Sequence, residues 1–390
     1  MLTTSPARLL PQLSDRAAAT QSSAIRDLLD HAKQPGMISL AGGLPDASHF
    51  PVGELAGITA RVLGAEGATA LQYGLTAGSA EARTALGSLF GDAPDSEEMV
   101  LTTGSQQALA LIARVVVNPG DQVVVGDPDY LGALQVFRAY GADVRPIAID
   151  ADGLDTAQLE DALRWGLRPK LCYLVPHFHN PTGGTMSAEG RAHLNELSSR
   201  YGFLLVEDDP YRELYYSDEA PQDRPGDPEL TVRLRSTSKM LAPGLRVGAL
   251  HGPSWLVEPI VTAKQSADLH TSSLTQAIAA EAVASSWLPG HLDALRSLYR
   301  GKRNVLVDAL RSAFGERASF AVPDGGMFLW VRIEDAGDTT SWLERCLERG
   351  VCFVPGSAFA VARDLSSYLR LSFATGTTDE LVTAVDRMNC

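Results

Sequence analysis

Residues 203–208 read FLLVED and residues 236–248 read STSKMLAPGLRVG, and these two stretches decide the fold class. The first is a run of apolar residues that ends in carboxylates, which is typical of a buried strand reaching the edge of a parallel sheet. The second places one lysine among hydroxyl, glycine and proline residues, a composition typical of a loop. Together they predict an α/β sheet with polar side chains collected at one edge.

Similar apolar runs recur on both sides of these stretches, and helical patterns separate them. Ser187 is a predicted N-cap and Gly202 a predicted stop for one of these helices. From about Met99 to Gly252 the alternation predicts a mostly parallel sheet sandwiched between helices. The predicted strands are 99–103, 122–126, 171–175, 203–207 and 246–250, and the predicted helices are 105–117, 154–165 and 187–202.

The pattern changes after Pro289, where a long helical stretch precedes a strand, a shorter helix and another strand. This order predicts a smaller α+β domain at residues 290–390, after a large domain at residues 46–289. Residues 1–45 form a predicted N-terminal arm. Its amphipathic segment 25–32 is expected to pack on the small domain or to cover the cleft.

Composition and charge exclude several classes of function. The 390 residues carry 33 basic and 47 acidic side chains, a net charge of −14 that disfavours a nucleic-acid surface. No secretion signal and no run of 18 apolar residues is present, so we expect no membrane span. The four cysteines include no C-x-x-C pair, which predicts reduced thiols, no metal site and a cytoplasmic location.

Polar residues follow the predicted strands, at the edge where open α/β sheets bind ligands. The backbone N–H groups of Ser105 and Gln106 open a helix, which favours a phosphate, and Ser236 and Arg246 can hold the same group. Each feature also has an ordinary explanation. A Gly-Ser turn can be a plain cap, and a lone lysine can be solvated. No G-x-G-x-x-G follows a strand, which argues against a dinucleotide.

Four further candidates have structural alternatives of the same kind. Asp208 can be a helix N-cap, Asn180 can form an Asx-turn, and Tyr130 or Tyr211 alone can belong to the core. None of these residues decides the function by itself.

The ordered set of motifs resembles the fold-type I pyridoxal 5'-phosphate (PLP) enzymes of the class I/II aminotransferase family. It is most similar to the branch with α-aminoadipate, kynurenine and broad-specificity aromatic or branched-chain aminotransferases. The resemblance covers nearly the whole chain and implies a PLP-transferase fold with a seven-stranded type of sheet. The motifs are SLAGGLPD (39–46), LQYG (71–74), TTGSQQAL (102–109), HNPTGG (179–184), VEDDPY (206–211), STSKMLAPGLRVG (236–248), KQSADLHTSSLTQ (264–276), PDGGMFLWV (323–331), FVPGSAF (353–359) and YLRLSFA (368–374).

The resemblance implies a role for each residue around the cofactor ring. Lys239 bonds covalently to the PLP aldehyde, and Asp208 pairs with the pyridine nitrogen. Tyr211 and Asn180 hydrogen-bond to the phenolic oxygen, and Tyr130 stacks over the ring.

It also implies how the cofactor phosphate is bound and how the protein assembles. Backbone groups of Ser105 and Gln106, with Ser236 and Arg246, bind the phosphate of the same chain. Tyr73 reaches the phosphate of the neighbouring subunit, which implies a homodimer with shared active sites. Ser272 and Ser273 are further candidates for that role.

For the substrate, the resemblance implies that Arg370 binds the α-carboxylate, with Asn180 and the backbone of Gly42 or Gly43. The alternative for Arg370 is a structural salt bridge. Arg26 matches an arginine that pairs with acidic substrate side chains, and its alternative is a solvated helix arginine. If Arg26 acts in this way, glutamate and 2-oxoglutarate are natural substrates.

The implied reaction moves the α-amino group of an L-amino acid to a 2-oxo acid by a ping-pong mechanism, with glutamate and 2-oxoglutarate as one pair. One alternative is a PLP enzyme of the same fold that performs β-elimination, cyclisation or oxidation. Another is a non-catalytic effector-binding module, as in regulators that carry a winged-helix domain. The charge of −14 and the position of SLAGGLPD at residue 39 argue against this last alternative.

Several positions depart from the family pattern. His179, with His177 nearby, stands before the Asn-Pro-Thr-Gly turn where relatives commonly have glutamine. Thr237 replaces a frequent phenylalanine, and Leu75 replaces a proline. These changes leave the residues implied to bind PLP intact. They put the usual substrate pocket in question.

Overall fold

Helices and strands alternate through most of the chain. The computed structural model describes residues 12–14, 16–17, 34–91, 95–150, 152–222, 226–334 and 336–389. The helices are α1 Val52–Ala70, α2 Ala80–Gly87, α3 Ser105–Val116, α4 Leu131–Ala139, α5 Thr156–Arg164, α6 Ala188–Tyr201, α7 Ser254–Gln265, α8 Ser273–Val283, α9 Leu288–Phe314, α10 Thr339–Glu348 and α11 Thr378–Met388. The strands are β1 Ile38–Ser39, β2 Met99–Thr102, β3 Gln122–Asp127, β4 Asp143–Asp150, β5 Gly153–Leu154, β6 Leu171–Leu174, β7 Leu204–Asp208, β8 Thr231–Ser236, β9 Gly248–His251, β10 Ala318–Ser319, β11 Phe328–Ile333, β12 Val351–Cys352, β13 Val354–Pro355 and β14 Tyr368–Ser372.

The central sheet has the strand order β2-β9-β8-β7-β6-β3-β4-β5. The pairs from β8 to β4 are parallel, whereas β9 is antiparallel to both of its neighbours and β5 is antiparallel to β4. The prediction of a mostly parallel α/β sheet is therefore confirmed, with seven main strands and the two-residue β5 at one end.

Burial and capping explain why these segments form. Every residue of β2, β6 and β7 is buried, as expected for strands covered by helices on both faces. Helix α6 begins after Ser187, whose hydroxyl accepts the Gly190 N–H at 3.1 Å. It ends at Gly202, which has a left-handed backbone with φ of 71°. Both predicted boundaries of this helix are confirmed.

In the central sheet the structure corrects one predicted strand and adds two that are longer than two residues. The strand expected at 246–250 begins only at Gly248, because Arg246 has a left-handed backbone with φ of 53°. Strands β4 and β8 were not expected. All six residues of β8 are buried, and its two arginines, Arg233 and Arg235, donate to the carbonyls of Phe90 and Leu89. Buried arginines with such acceptors do not follow the apolar pattern on which strand prediction depends.

A second, four-stranded antiparallel sheet, with the order β10-β11-β14-β13, lies in the C-terminal part of the chain. Strand β1 pairs in parallel with β12, with Ile38 opposite Val351, so a segment near residue 40 joins the C-terminal elements. Segment 25–32 lies outside the described residues. None of the helices in the described ranges has the length and apolar character needed to cross a bilayer.

The topology brings the ends of several strands to one edge of the central sheet. Strands β3, β6, β7 and β8 end there, and β2 does too because both β2 and β8 are antiparallel to β9. For the same reason β9 begins at this edge. Arg246 therefore reaches the edge by preceding a strand, whereas the other polar residues follow theirs.

Candidate active site

A cavity of about 500 Å³ lies at this edge of the sheet. It brings together most of the predicted site residues, although they are far apart in the sequence. Gly42 and Tyr73 do not line it, and Arg26 lies outside the described residues. The lining residues are Gly43, Leu44, Ser105, Gln106, Tyr130, Leu131, Gly132, Gln135, Tyr173, Val175, Asn180, Asp208, Pro210, Tyr211, Ser236, Ser238, Lys239, Arg246 and Arg370.

Lys239 presents a primary amine to the cavity. Its Nζ donates to the Gly43 carbonyl at 2.8 Å. Burial, followed by the positive charges of Arg370 and Arg246, lowers the pKa of Lys239 to about 8, although Asp208 acts in the opposite direction. A lowered pKa increases the fraction of neutral amine near neutral pH. The neutral amine is the form that attacks an aldehyde or accepts a proton.

Asp208 places a carboxylate with one unpaired oxygen against the cavity. Its Oδ2 accepts from the Tyr173 hydroxyl at 3.2 Å, whereas its Oδ1 is buried without a hydrogen-bond partner among the described residues. Burial raises the pKa of Asp208 to about 7, although Ser105 and Tyr173 lower it. The Ser105 hydroxyl is close enough to act on the carboxylate without the alignment of a regular hydrogen bond. A buried, unpaired carboxylate oxygen suits a cationic ring N–H.

The amino end of α3 forms an anion site on another side of the cavity. Gly104 precedes the helix with φ of 79°, and a Cβ there would lie 2.7 Å from Arg246 Nη2. This turn therefore requires glycine. The Ser105 hydroxyl is buried without a partner among the described residues, and Arg246 Nη2 donates to the Thr103 carbonyl at 2.9 Å. Helix N–H groups and a guanidinium are the donors that a phosphate requires.

Hydroxyl groups extend this anion site. Ser236 donates to Ser238 at 2.9 Å between the two Oγ atoms, and both residues line the cavity. The lysine, the unpaired carboxylate oxygen and the anion site together fit the three polar ends of PLP: an aldehyde, a ring nitrogen and a phosphate.

The two predicted tyrosines, Tyr130 and Tyr211, line the cavity and remain protonated near neutral pH. Burial, helped by Asp208, raises the pKa of Tyr130 to about 12. Burial also raises the pKa of Tyr211 well above its usual range, although a contact with Asn180 lowers it. The Tyr130 hydroxyl donates to Gln106 Oε1 at 3.3 Å. Both tyrosines therefore act as hydrogen-bond donors and as aromatic surfaces.

Arg370 places a large cation at the cavity wall although it is only 1% exposed. Its Nη1 donates to Asn180 Oδ1 at 2.7 Å and its Nη2 donates to the Ala41 carbonyl, whereas its Nε is buried without a partner among the described residues. Burial lowers the pKa of Arg370 to about 10, so the side chain stays charged at neutral pH.

Within the described ranges no carboxylate lies at salt-bridge distance from Arg370. The guanidinium carbon lies instead 4.2 Å from the centre of the Phe328 ring and 4.9 Å from that of Phe359. The structural salt bridge that was the alternative explanation is therefore not seen there. The charge is available to an anionic ligand.

The four departures from the family pattern do not line the cavity. His177 Nδ1 lies 2.7 Å from Asp209 Oδ2, and His179 lies 3.0 Å from Thr182 Oγ1 and 3.4 Å from Asp129. Thr237 donates to a backbone carbonyl, and Leu75 is 67% exposed. These residues affect the surroundings of the cavity and not its surface.

Tyr73, Ser272 and Ser273 lie outside the cavity. Tyr73 is 79% exposed, and its ring packs edge-on against His270 at 5.8 Å between centroids. Ser273 donates to the Gln72 carbonyl at 3.2 Å, and Ser272 caps α8. These contacts hold residues 72–73 close to the segment that precedes α8.

Eight residues of the cavity were not among the predicted site residues: Leu44, Leu131, Gly132, Gln135, Tyr173, Val175, Pro210 and Ser238. Tyr173 stands in a buried strand that is otherwise aliphatic, and its aromatic ring with a hydroxyl was the only available signal. Leu44, Leu131 and Gln135 had no signal of their own, because their exposure to the cavity depends on how the loop after β1 and helix α4 pack.

Comparisons with known proteins agree with this geometry. The sequence model of the family "Aminotransferase class I and II" matches residues 37–388. The chain is 38% identical to aromatic-amino-acid aminotransferase 1 of Thermococcus litoralis, over 96% of this chain and 92% of the relative.

Two solved structures are similar over nearly their whole length. A kynurenine aminotransferase of Pyrococcus horikoshii, in complex with PMP, has a TM-score of 0.91 and 37% identity, over 96% of this chain and 95% of that chain. The α-aminoadipate aminotransferase of Thermus thermophilus, complexed with N-(5'-phosphopyridoxyl)-L-leucine, has a TM-score of 0.88 and 34% identity, over 97% of this chain and 96% of that chain. On this sequence and structural similarity, the chain belongs to the class I and II aminotransferases and is a PLP-dependent enzyme of fold type I.

Proposed function

We propose that this aminotransferase transfers the α-amino group of an L-amino acid with an uncharged side chain to 2-oxoglutarate. The observation that carries the proposal is that one cavity holds a lysine amine, a carboxylate with an unpaired oxygen and an arginine with an unpaired N–H. These groups suit the chemistry of amino-acid nitrogen: an amine to move a proton, an anion for a ring cation, and a cation for a substrate carboxylate.

We assign the predicted cofactor roles as follows. Lys239 bonds to the PLP aldehyde, Asp208 holds the ring nitrogen in its protonated form, and Tyr211 and Asn180 donate to the phenolic oxygen. Tyr130 covers the ring. When bound, PLP supplies an electron sink for the pair of electrons left at the substrate Cα.

The phosphate is assigned to the amino end of α3, which offers the backbone N–H groups of Ser105 and Gln106, and to Ser236 and Arg246. This assignment is supported by the unpartnered Ser105 hydroxyl and by the turn at Gly104. A doubly charged phosphate at this position neutralises the helix dipole and the Arg246 charge together.

Substrate orientation is assigned to Arg370. Its guanidinium already uses one N–H on Asn180 and one on the Ala41 carbonyl, which fixes its direction. The unpartnered Nε then receives the α-carboxylate together with the backbone of Gly43, since Gly42 does not line the cavity. With the carboxylate held there, Lys239 Nζ takes the proton from the substrate Cα.

The choice of an uncharged side chain rests on the residues that sequence analysis missed. Leu44, Leu131 and Gln135 offer apolar carbon and one amide to the cavity, and among the described residues no carboxylate other than Asp208 lines it. The relatives act on aromatic amino acids, aminoadipate and kynurenine by their names, which include both apolar and acidic side chains. Binding of glutamate and 2-oxoglutarate is assigned to Arg26, which lies outside the described residues.

We also propose a homodimer with shared active sites. Leu71, Tyr73 and Leu75 are exposed by 71%, 79% and 67%, which is a cluster of large apolar side chains within five residues. In the dimer Tyr73 reaches the partner's phosphate, and Ser272 and Ser273 support it. The domains 46–289 and 290–390 and a cytoplasmic location remain predictions. The three described cysteines are buried free thiols, in keeping with that location.

An absorbance experiment tests the proposal. The holoenzyme is mixed with glutamate, 2-aminoadipate, leucine, phenylalanine or arginine, and we expect leucine or phenylalanine to convert the visible band to the near-ultraviolet band of the amine form. Adding 2-oxoglutarate should restore the visible band. Lys239→Ala should bind PLP without this conversion. Ammonia release without recovery by an oxo acid would instead indicate another PLP reaction.

A further inference from the structure

Asp127 joins the central sheet to a loop of the C-terminal part of the chain. It is the last residue of β3, its side chain is 1% exposed, and its carboxylate accepts three backbone N–H groups in a row. The N–H of Val361 donates to Oδ1 at 2.9 Å, and those of Ala362 and Arg363 donate to Oδ2 at 2.9 and 2.8 Å. A carboxylate removed from water and bound by three donors is a strong, directional contact.

Two more hydrogen bonds reinforce this contact. Arg363 Nη1 returns to the Asp127 carbonyl at 3.1 Å, and the Asp129 N–H donates to the Phe359 carbonyl at 3.2 Å. We call these contacts between residues 127–129 and 359–363 the Asp127 junction. The junction is built from both sides and does not depend on one side chain alone.

Each side of the junction continues directly into the cavity. Tyr130 follows Asp129, which accepts the Tyr130 N–H at 2.6 Å. On the other side Phe359 is fully buried, and its ring centre lies 4.9 Å from the Arg370 guanidinium carbon. The junction therefore lies between Tyr130, which lines the cavity, and Phe359, which packs on Arg370.

We propose that Asp127 is a positioning residue for the substrate carboxylate. It holds loop 359–363 so that Phe359 keeps Arg370 in the direction that an α-carboxylate needs, without touching the cofactor or the substrate. This inference rests on the proposed role of Arg370. It concerns binding of the amino acid and of the oxo acid, and leaves the cofactor contacts as they are.

The variant Asp127→Asn isolates this effect. Asparagine keeps the size of the side chain but has one acceptor oxygen in place of two, and its NH₂ group faces a backbone N–H. The loop then loses at least one hydrogen bond to a charged group and shifts away. We expect KM for the amino acid and for 2-oxoglutarate to rise about tenfold, with kcat reduced less than threefold. PLP affinity should stay within twofold of the parent. The wavelength of the visible absorbance band of the holoenzyme should be unchanged.

Asp364→Asn is the matched control. Asp364 directly follows this loop and is exposed, and its carboxylate bonds only to Ser366 among the described residues. It should leave KM, kcat and PLP affinity unchanged. Arg363→Met removes the bond to the Asp127 carbonyl and leaves the carboxylate in place. It should raise KM in the same direction by a smaller factor, and it gives the answer if Asp127→Asn does not fold.

Arg370→Lys separates this inference from the proposed function. If Arg370→Lys leaves KM unchanged, Arg370 does not bind the carboxylate, and the role of Asp127 falls with it. If Arg370→Lys raises KM while Asp127→Asn and Arg363→Met leave it within twofold, the positioning role of Asp127 alone is wrong. Loss of PLP affinity in Asp127→Asn, in parallel with the rise in KM, would indicate a general structural role and would also overturn the inference.

Discussion

Asp208 and Asp209 are adjacent in the chain and almost equally buried, with exposures of 3% and 2%, yet their environments are opposite. Burial raises the pKa of Asp208 to about 7, and the Tyr173 hydroxyl is its regular hydrogen-bond partner. Burial also raises the pKa of Asp209, but Arg235 and then His177 outweigh it and hold this pKa well below the usual range.

The direction of the side chain at the end of β7 explains the difference. Each aspartate keeps one buried oxygen without a partner among the described residues, so the difference lies at the other oxygen. Asp208 lines the cavity and its Oδ2 accepts from the neutral Tyr173 hydroxyl, whereas Asp209 Oδ2 contacts Arg235 and His177. The protein satisfies the charge of Asp209 itself. It leaves the charge of Asp208 to a ligand, which is how a ligand site differs from a structural ion pair of the same composition.

The largest effect is expected from Asp209→Asn. This substitution leaves the buried Arg235 guanidinium without its carboxylate, a change that costs about 3–5 kcal/mol in comparable buried pairs. Urea unfolding of the apoenzyme should show this loss of stability. A loss below about 1 kcal/mol would mean that Arg235 is satisfied by the carbonyl of Leu89 and its other contacts, and that the two aspartates differ less than their geometry indicates.

Asp208→Asn should reduce activity without reducing stability. We expect the free energy of unfolding of the apoenzyme to be unchanged or higher, because an unfavourable buried charge is removed. The rate constant of the amino-acid half-reaction should fall by roughly 10²–10³-fold, the range found when one preorganised electrostatic contact is removed. Stopped-flow absorbance measures this rate. An active Asp208→Asn enzyme would contradict the assignment of Asp208 to the ring nitrogen.

The pH dependence of stability should have opposite signs at the two positions. A carboxyl with a raised pKa binds its proton more tightly in the folded state, so Asp208 makes the apoenzyme less stable as pH rises from about 4 to about 7. Asp209 has a lowered pKa, so its contribution is present above pH 4 and is lost as pH falls further. Between pH 4 and 8 the difference in unfolding free energy between the parent and Asp208→Asn should change with pH, whereas that between the parent and Asp209→Asn should stay level and change only below pH 4.

The smallest effect is expected from Tyr173→Phe. It removes the one regular hydrogen bond that the described residues give Asp208, which contributes about 0.5–1.5 kcal/mol, so kcat/KM should fall by roughly two- to tenfold. The upper end of the pH range over which Asp208 lowers stability, about 7 in the parent, should move upward. An unchanged pH dependence would indicate that Tyr173 fills space and does not tune the carboxylate.

Sequence analysis predicted the edge of the sheet and most of the cavity because the polar residues follow apolar strands, and because their order resembles a known family. It did not predict β8, since Arg233 and Arg235 interrupt the apolar pattern and are satisfied by backbone carbonyls and Asp209. It also could not assign a partner to Tyr173 or Asp209, because these partners depend on which strands are neighbours and in which register.

The position of Arg246 shows a similar limit. A strand was expected to begin at this residue, but its left-handed backbone turns the side chain toward the helix that follows β2. The sequence alone places an arginine close to Lys239 along the chain. Only the antiparallel direction of β9 explains why both belong to the same cavity.

Because β9 runs antiparallel to β8, a short connection between these strands carries two parts of the site. The proposed covalent anchor and the proposed phosphate anchor are separated by only six residues, 240–245, within the connection between two paired strands. Closing so short a loop costs little chain entropy, so this hairpin can bring its amine and guanidinium together with few long-range contacts. PLP bound to the two anchors then stabilises the native state by mass action. PLP would in this way stabilise the folded enzyme as well as supply its chemistry.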